Sequence, residues 1–197
     1  MHDPEELQRW LAQLSLDGPV EPFLVFADWL QSHGDPWGEF IAVQCASREL
    51  LELHAGTLWN EQERMLAEHG RTWCPLYGRT GRIVRWGRGF VRYIGYLEDT
   101  SHQELGRELQ QLFREPAAAL FTELSFHDAH LDSTHVRALL MVKQQLARMT
   151  ELDLERNWFV PELVRELQAA FPRARLANQR APRDAEHESF LRSWRGG

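Results

Sequence analysis

The sequence predicts an α/β protein in which an N-terminal helical region is followed by a short stack of β-α units with a parallel sheet. Three observations support this prediction. Apolar residues recur at helical spacing through residues 1–70, and glycines then interrupt short apolar and aromatic runs between residues 71 and 97. Beyond residue 101, a strand-like segment occurs twice, with its central leucines Leu124 and Leu152 28 residues apart and a helical pattern between them.

The first 70 residues predict four helices. Asp3 is a start signal, and Glu6 is placed for a capping box on it. Gly34 can adopt the left-handed conformation that ends a helix, and Asp35 followed by Pro36 is typical of the start of the next one. The helices are expected from Pro4, from about Pro22, from Pro36 to about Leu53, and from Asn60 to about His69.

Two strands joined by a turn are expected next, followed by a further helix. Residues 82–86 and 90–97 have the composition of strands, and Gly87-Arg88-Gly89 has that of the turn between them. Ser101 and Glu104 form a capping box that opens the helix. The two strands can cover one open end of the repeated β-α units.

The repeated units are similar to leucine-rich repeats. The segment Leu152-Asp153-Leu154-Glu155-Arg156-Asn157 resembles the strand and asparagine turn of such a repeat, and Ala129 stands where the first copy would have its asparagine. A third strand is expected at residues 174–176, and helices at 133–148 and 161–170. Each unit buries its strand only by stacking on the next one, which predicts a parallel sheet.

Two blocks of residues form recognisable motifs. The first comprises Ala27-Asp28-Trp29-Leu30, Gly34-Asp35-Pro36, Gly38-Glu39-Phe40-Ile41 and Gln44, and the second comprises Trp73-Cys74-Pro75-Leu76 and Arg88-Gly89-Phe90-Val91. The first block resembles the signature of the bacterial repeat-companion domain of myxobacteria and planctomycetes, and the second is similar to a further block of that family. The resemblance covers residues 1–97 well and the remainder more loosely. It implies a module that occurs beside leucine-rich or similar repeats, and it implies no catalytic residues.

Charge is distributed unevenly along the chain. Residues 1–70 carry 13 acidic residues and three arginines, whereas residues 71–97 carry six arginines and no acidic residue. These changes divide the chain into a helical repeat-companion region (1–70), an arginine- and aromatic-rich hairpin that connects or caps (71–100), leucine-rich-repeat-like units (101–180), and a polar tail or cap (181–197). The formal net charge of −7 argues against a protein that coats nucleic acid.

The same composition indicates a cytoplasmic protein. No apolar run has the length of a membrane span, and the N-terminus lacks a basic-then-apolar signal pattern. The two cysteines, Cys45 and Cys74, are expected to be free and packed in the core rather than paired in a disulfide.

The first candidate site is the outward side of the repeat strands. Alternation directs the leucines of each strand inward and places a set of polar residues outward, where leucine-rich repeats commonly bind proteins. The predicted protein-binding residues are Glu123, Ser125, His127, Glu151, Asp153, Glu155, Arg173 and Arg175. The alternative is a solvated face with a cross-strand ion pair between Glu151 and Arg173.

The second candidate site is a basic strip from Arg71 to Arg92. Arginines interleave with aromatic residues there, and such a pattern can neutralise phosphates and stack on bases. The predicted nucleic-acid-binding residues are Arg79, Arg82, Arg85, Arg88, Arg92 and Trp86. The charges favour a different interpretation, in which this segment docks on the acidic region 1–70 and its aromatic residues enter the core.

The third candidate site is a histidine cluster. Residues 127–135 contain His127, His130 and His135 together with two aspartates, a composition that suggests metal ligands and a metal-dependent hydrolase. The spacing matches no zinc motif, and Asp132 or Ser133 is a natural helix cap, so structural roles are favoured. No metal site is therefore predicted.

These observations together predict a non-enzymatic protein-interaction module. The sequence has no Gly-x-Ser-x-Gly elbow and no phosphate-binding glycine loop, so no catalytic residue and no cofactor is predicted. The expected partner is an unidentified protein.

Overall fold

The computed structural model describes residues 3–49, 55–97 and 100–180, and it confirms the α/β class. Its helices are α1 (Pro4–Leu11), α2 (Glu21–Ser32), α3 (Pro36–Glu49), α4 (Ala55–Trp73), α5 (His102–Leu112), α6 (Ser133–Met141), α7 (Lys143–Leu146) and α8 (Pro161–Ala170). Its strands are β1 (Arg82–Gly87), β2 (Phe90–Tyr96), β3 (Glu123–Ser125) and β4 (Glu151–Asp153). They form one four-stranded sheet in the order β1-β2-β3-β4.

The chain divides into two compact units that alternate along the sequence. The first contains the described residues of 1–78, 84–92 and 114–121, and the second contains those of 79–83, 93–113 and 122–180. The β1–β2 hairpin therefore contributes residues to both units. Residues 1–70 do not supply the whole core of the first unit, because Phe90 and Ala117 are buried in it.

The first unit is built around aromatic side chains of α2, α3 and the hairpin. Phe26, Trp37 and Phe90 are buried and pack on one another, with ring centroids 5.1–6.3 Å apart. Phe23 packs edge-on against Phe90 at 5.8 Å. Burial of large aromatic side chains makes this cluster a major source of stability for the first unit.

Residues of the signature segment hold the hairpin turn in place. Trp37 Nε1 donates a hydrogen bond to the carbonyl oxygen of Gly89 at 2.7 Å, and Gly89 N donates to Gln44 Oε1 at 2.7 Å. Gly89 has a φ of +81°, and a Cβ at this position would clash with Ile41. The tryptophan, the glutamine and the glycine therefore act together as a structural lock on the turn.

The second unit contains the parallel part of the sheet. β2 pairs with β3 and β3 with β4, both in parallel, so that Ile94, Leu124 and Leu152 lie side by side. These three residues are buried, and α6 packs against both α5 and α8. The pairing confirms the predicted register, because Leu124 and Leu152 lie opposite each other.

The turns after the strands repeat a backbone conformation. Asp128 has a φ of 56°, Arg156 a φ of 60° and Asn178 a φ of 56°. The first two positions are 28 residues apart, as are the centres of β3 and β4. The third turn follows Arg175, which forms a single parallel bridge with Asp153. The third predicted strand is thus reduced to this bridge.

Several element boundaries differ from those predicted. The helix expected at 133–148 is interrupted at Val142, whose φ of −112° separates α6 from α7. The fourth helix is longer than predicted, since it spans Ala55–Trp73. The predicted end of the third helix at Leu53 and the tail at 181–197 lie outside the described residues.

The predicted capping box at the start of α1 is wrong. Asp3 Oδ1 does accept a hydrogen bond, from Glu5 N at 3.0 Å. The Glu6 carboxylate instead accepts from Trp29 Nε1 at 3.1 Å, because the indole N–H of a half-buried tryptophan needs an acceptor.

Candidate functional site

The outward side of the parallel strands forms a surface that we call the strand face. It comprises Tyr93, Glu123, Ser125, His127, Glu151, Asp153, Glu155 and Arg175. The register aligns Tyr93 with Glu123 and Glu151 in one row, and it aligns Ser125 with Asp153 and Arg175 in the next. Seven of the eight residues predicted to bind protein therefore lie on this one surface, and the eighth, Arg173, lies in the turn that precedes Arg175.

Asp153 is the buried centre of the strand face. The sequence predicted an outward residue, but its side chain is only 8% exposed. Asp153 Oδ1 accepts a hydrogen bond from Glu155 N at 2.9 Å, and Oδ2 accepts one from Arg175 Nη2 at 3.0 Å. A carboxylate with both oxygens bonded can be buried at this level because its charge is compensated.

Arg175 lies between three carboxylates. Besides its bond to Asp153, Nη1 is 3.1 Å from Glu151 Oε1, and Nε is 3.6 Å from Glu155 Oε1. The predicted pair between Glu151 and Arg173 is wrong, because the β-bridge places Arg175 opposite Asp153 and its long side chain reaches the neighbouring carboxylates. Arg173 is exposed in the turn two residues before Arg175.

His127 lies at the edge of this carboxylate group. Its Nδ1 is 3.4 Å from Asp153 Oδ2, and ligand atoms of His127, Asp153 and Glu155 all lie within 4.8 Å of one another. Histidine and carboxylates are metal-ligating side chains. The 28-residue repeat places His127 next to Glu155, and this spacing is the signal that could have identified the grouping from the sequence. The Arg175 guanidinium already supplies positive charge to the two carboxylates.

The structure does not bring the three histidines of residues 127–135 together as ligands. The His135 ring is buried, with Nε2 donating to the carbonyl oxygen of Thr100 at 2.7 Å and Nδ1 2.8 Å from Asp132 Oδ1. The His130 ring stacks on Trp158, with centroids 4.7 Å apart. The rings of His130 and His135 therefore take part in packing and hydrogen bonding within the fold.

Asp132 caps α6, as one of the two predicted candidates. Its Oδ1 accepts from Thr134 N at 2.9 Å and from Thr134 Oγ1 at 2.6 Å. Burial alone raises the pKa of Asp132, but the hydrogen bonds from His135 and Thr134 outweigh burial and hold that pKa well below its usual range. The aspartate is thus a charged helix cap.

The buried side chain of Asn157 stabilises the turns next to the strand face. Its side chain is fully buried, and its Nδ2 is within 3.1 Å of the carbonyl oxygens of Phe126, Leu154 and Glu155, to which it donates. Its Oδ1 accepts from Leu131 N at 2.8 Å. One amide thereby ties the turn after β3 to the turn after β4, which fixes the positions of His127 and Glu155 relative to each other.

The basic strip is dispersed through the fold. Arg82 is buried and pairs with the buried carboxylate of Glu108 at 3.1 Å, and Arg79 pairs with the same carboxylate. The Arg82 guanidinium also lies 4.1 Å from the ring centroid of Tyr96. Burial, with a contribution from the charge of Glu108, raises the pKa of Tyr96 well above its usual range. Two of the predicted phosphate contacts are therefore part of an internal ion pair.

The other strip residues occupy several environments. Arg88 Nη1 donates to the carbonyl oxygens of Gly18 and Pro19, at 2.7 and 3.2 Å. Trp86 packs on Phe40, with centroids 5.4 Å apart. Arg85 is exposed and Arg92 is half-buried. Docking of this segment on acidic side chains of residues 1–70 was expected, but Arg88 binds carbonyl oxygens there, while Arg79 and Arg82 bind Glu108.

The cysteines are confirmed as free and buried. Neither Cys45 nor Cys74 is bridged. Burial raises the pKa of the Cys74 thiol to about 11. A thiol of this kind is protonated at neutral pH and is a poor nucleophile.

Comparison with family models, with curated proteins and with solved structures found no match to this chain. The resemblance to the repeat-companion domain therefore stays a prediction from its motif residues. Within the described ranges, no helix combines the length and the apolar character that are needed to cross a membrane.

Proposed function

We propose that this chain is a non-enzymatic, cytoplasmic protein-interaction module, an adaptor or scaffold that binds a partner protein through the strand face. The observation that carries the proposal is the contrast between the two sides of the parallel sheet. The inner row Ile94, Leu124 and Leu152 is buried, whereas Glu151, His127 and Arg175 on the strand face are exposed.

The strand face is suited to binding because its framework is rigid. Its side chains project from hydrogen-bonded parallel strands, and the buried Asn157 amide joins the two turns that follow β3 and β4. A surface of this kind binds without reordering, which lowers the entropic cost of association. The similarity of these strands to leucine-rich repeats supports the same function.

Nucleic-acid binding and hydrolysis, the two alternative functions, would both need side chains that make contacts within the fold. A nucleic-acid strip needs exposed cations, but Arg82 is buried against Glu108, and Arg88 is bonded to backbone carbonyl oxygens. A hydrolase built on the three histidines of residues 127–135 needs free ring nitrogens, but those of His135 contact Thr100 and Asp132. The geometry therefore favours the strand face.

The proposal is tested by charge reversal on and off the strand face. Glu151→Lys changes the strand face, and Glu162→Lys on α8 is a matched control. The two glutamates are 50% and 52% exposed, and each is paired with an exposed arginine. We expect the wild-type protein and Glu162→Lys to retain the same proteins from nuclease-treated native lysate, and Glu151→Lys to lose at least one of them.

If the wild-type protein, Glu151→Lys and Glu162→Lys all retained the same lysate proteins equally, the strand face would not be the binding surface. Retention that disappears after nuclease treatment would instead support nucleic-acid binding through the basic strip. Because both glutamates are exposed, neither variant is expected to change the free energy of unfolding by more than about 1 kcal/mol. A denaturation curve for each variant checks that the protein is folded.

A further inference from the structure

The strand face carries an excess of negative charge. Its carboxylates are Glu123, Glu151, Asp153 and Glu155, and its arginine is Arg175. With His127 neutral, the formal charge of the strand face is −3. Interfaces are complementary in electrostatic potential, so a partner segment that carries positive charge fits this surface.

Arg175 shows how the strand face accommodates a guanidinium group. Its nitrogens contact Glu151, Asp153 and Glu155 at 3.1, 3.0 and 3.6 Å. The three carboxylates are held at different levels on β4 and the turn after it, so that they surround the planar group. Guanidinium matches carboxylates through several donors in a fixed plane, which a compact ammonium group cannot do.

The resident arginine is exchangeable. Its side chain is 51% exposed, and its pair with the similarly exposed Glu151 contributes only about 0–1 kcal/mol. Its pair with the buried carboxylate of Asp153 is stronger, but an incoming guanidinium offers Asp153 the same donors. Three carboxylates around one guanidinium also leave an uncompensated charge of −2 in this group. A second arginine can thus replace Arg175 and leave it in solvent, at little cost in free energy.

Tyr93 adds an aromatic surface beside the carboxylates. The residue lies in the same row as Glu123 and Glu151, and its ring covers the backbone of Gly95. A Cβ at position 95 would lie 2.7 Å from Tyr93 Oη, so the glycine permits this placement. Aliphatic stems and guanidinium planes of arginines both pack favourably on aromatic rings.

We infer that the strand face binds an extended, arginine-bearing segment of the partner protein, and that an arginine of this segment displaces Arg175 from Glu151, Asp153 and Glu155. This inference rests on the proposed function and specifies the chemistry of the partner. In an extended segment, alternate residues face the same side about 6.7 Å apart. One arginine then occupies the carboxylate group while another side chain of the segment reaches Tyr93.

The test uses a fluorescein-labelled peptide of alternating arginine and serine, with binding followed by fluorescence anisotropy at about 150 mM salt, where the screening length is about 8 Å. Glu151→Gln removes one carboxylate from around Arg175, and we expect it to weaken binding about three- to tenfold. Glu162→Gln is the control with the same change of net charge, and we expect an effect below about twofold.

The displacement of Arg175 also predicts a variant that binds the peptide more tightly than the wild-type protein does. Arg175→Ala removes the competing guanidinium, and we expect it to tighten peptide binding by about threefold or more. Arg165→Ala is the matched control, because Arg165 is also exposed, is paired with Glu162 and carries the same charge. The dissociation constant of this control should stay within about twofold of the wild-type value.

The outcomes separate this inference from the proposed function. Equal effects of Arg175→Ala and Arg165→Ala would overturn the inference, and the proposed function would stand if Glu151→Lys still lost native proteins from the lysate. Equal effects of Glu151→Gln and Glu162→Gln on peptide binding would overturn the inference as well.

Discussion

Asn157 is the residue on which the geometry of the strand face depends most. Its Nδ2 donates to carbonyl oxygens of both turns, each of which also accepts from a second donor, and its Oδ1 accepts from the buried Leu131 N–H. A buried polar group that loses its partner costs free energy, and the Leu131 N–H would lose this acceptor. The loss of this one side chain would therefore affect both turns next to the strand face.

Replacement of this side chain gives a prediction at the scale of the residue. We expect Asn157→Ala to lower the free energy of unfolding by about 2 kcal/mol, because it leaves the buried Leu131 N–H without this acceptor and removes the bonds between the two turns. Denaturation followed by circular dichroism measures the change. Hydrogen exchange at the Leu131 amide should accelerate as well, because that N–H loses its acceptor.

Gln144→Ala is the control, since Gln144 is an exposed amide side chain on α7 in the same unit. Its effect should not exceed about 0.5 kcal/mol. If the two variants lost the same stability, the buried amide would not have the role assigned to it here.

The residue scale also shows which details could be predicted. Alternation predicted that Leu124 and Leu152 face inward, and their burial confirms it. The burial of Asp153 and its pairing with Arg175 were not predictable in this way. The burial and the pairing both depend on the rotamers that long side chains adopt across neighbouring strands. The alternation of polar and apolar residues does not determine those rotamers.

At the scale of elements, α2 and α3 approach each other closely at Gly38. A Cβ at this position would clash with the carbonyl oxygen of Ala27 and lie 2.9 Å from Leu30 Cβ. These atoms belong to α2, so the glycine is required by helix packing. This contact gives a physical reason for a glycine in the Gly38-Glu39-Phe40-Ile41 motif.

The prediction at this scale compares two glycines that lie in helices. Gly38→Ala should destabilise the first unit by about 3 kcal/mol or more, because the helices must separate. Gly56→Ala in the first turn of α4 should stabilise the protein by up to about 0.5 kcal/mol, since no atom lies within 4 Å of the added Cβ and alanine is the better helix former. Tryptophan fluorescence during chemical denaturation measures both changes.

A loss of stability at Gly56 similar to that at Gly38 would show that helix propensity, and not packing between α2 and α3, determines the response. The helices themselves were largely predictable, because apolar spacing and start signals are local. The break at Val142 was not, since it interrupts a continuous helical pattern.

At the scale of the whole molecule, each of the two compact units is formed by segments that are separated along the sequence. Residues 114–121 belong to the first unit although they lie between α5 and β3 of the second. The division by composition into 1–70, 71–100 and 101–180 follows contiguous segments. Tertiary packing brings distant segments together, and neither charge nor composition along the chain reports it.

The central claim is that the strand face of the second unit contacts a partner protein, and site-specific photo-cross-linking tests it most directly. A photoreactive residue would replace Arg173, which is exposed next to the strand face in the turn before Arg175, or Arg165, which is exposed on α8. Both replacements remove one positive charge. We predict a discrete cross-linked adduct in native cells from position 173 and none from position 165. Adducts from position 165 alone, or identical adducts from both positions, would contradict the claim.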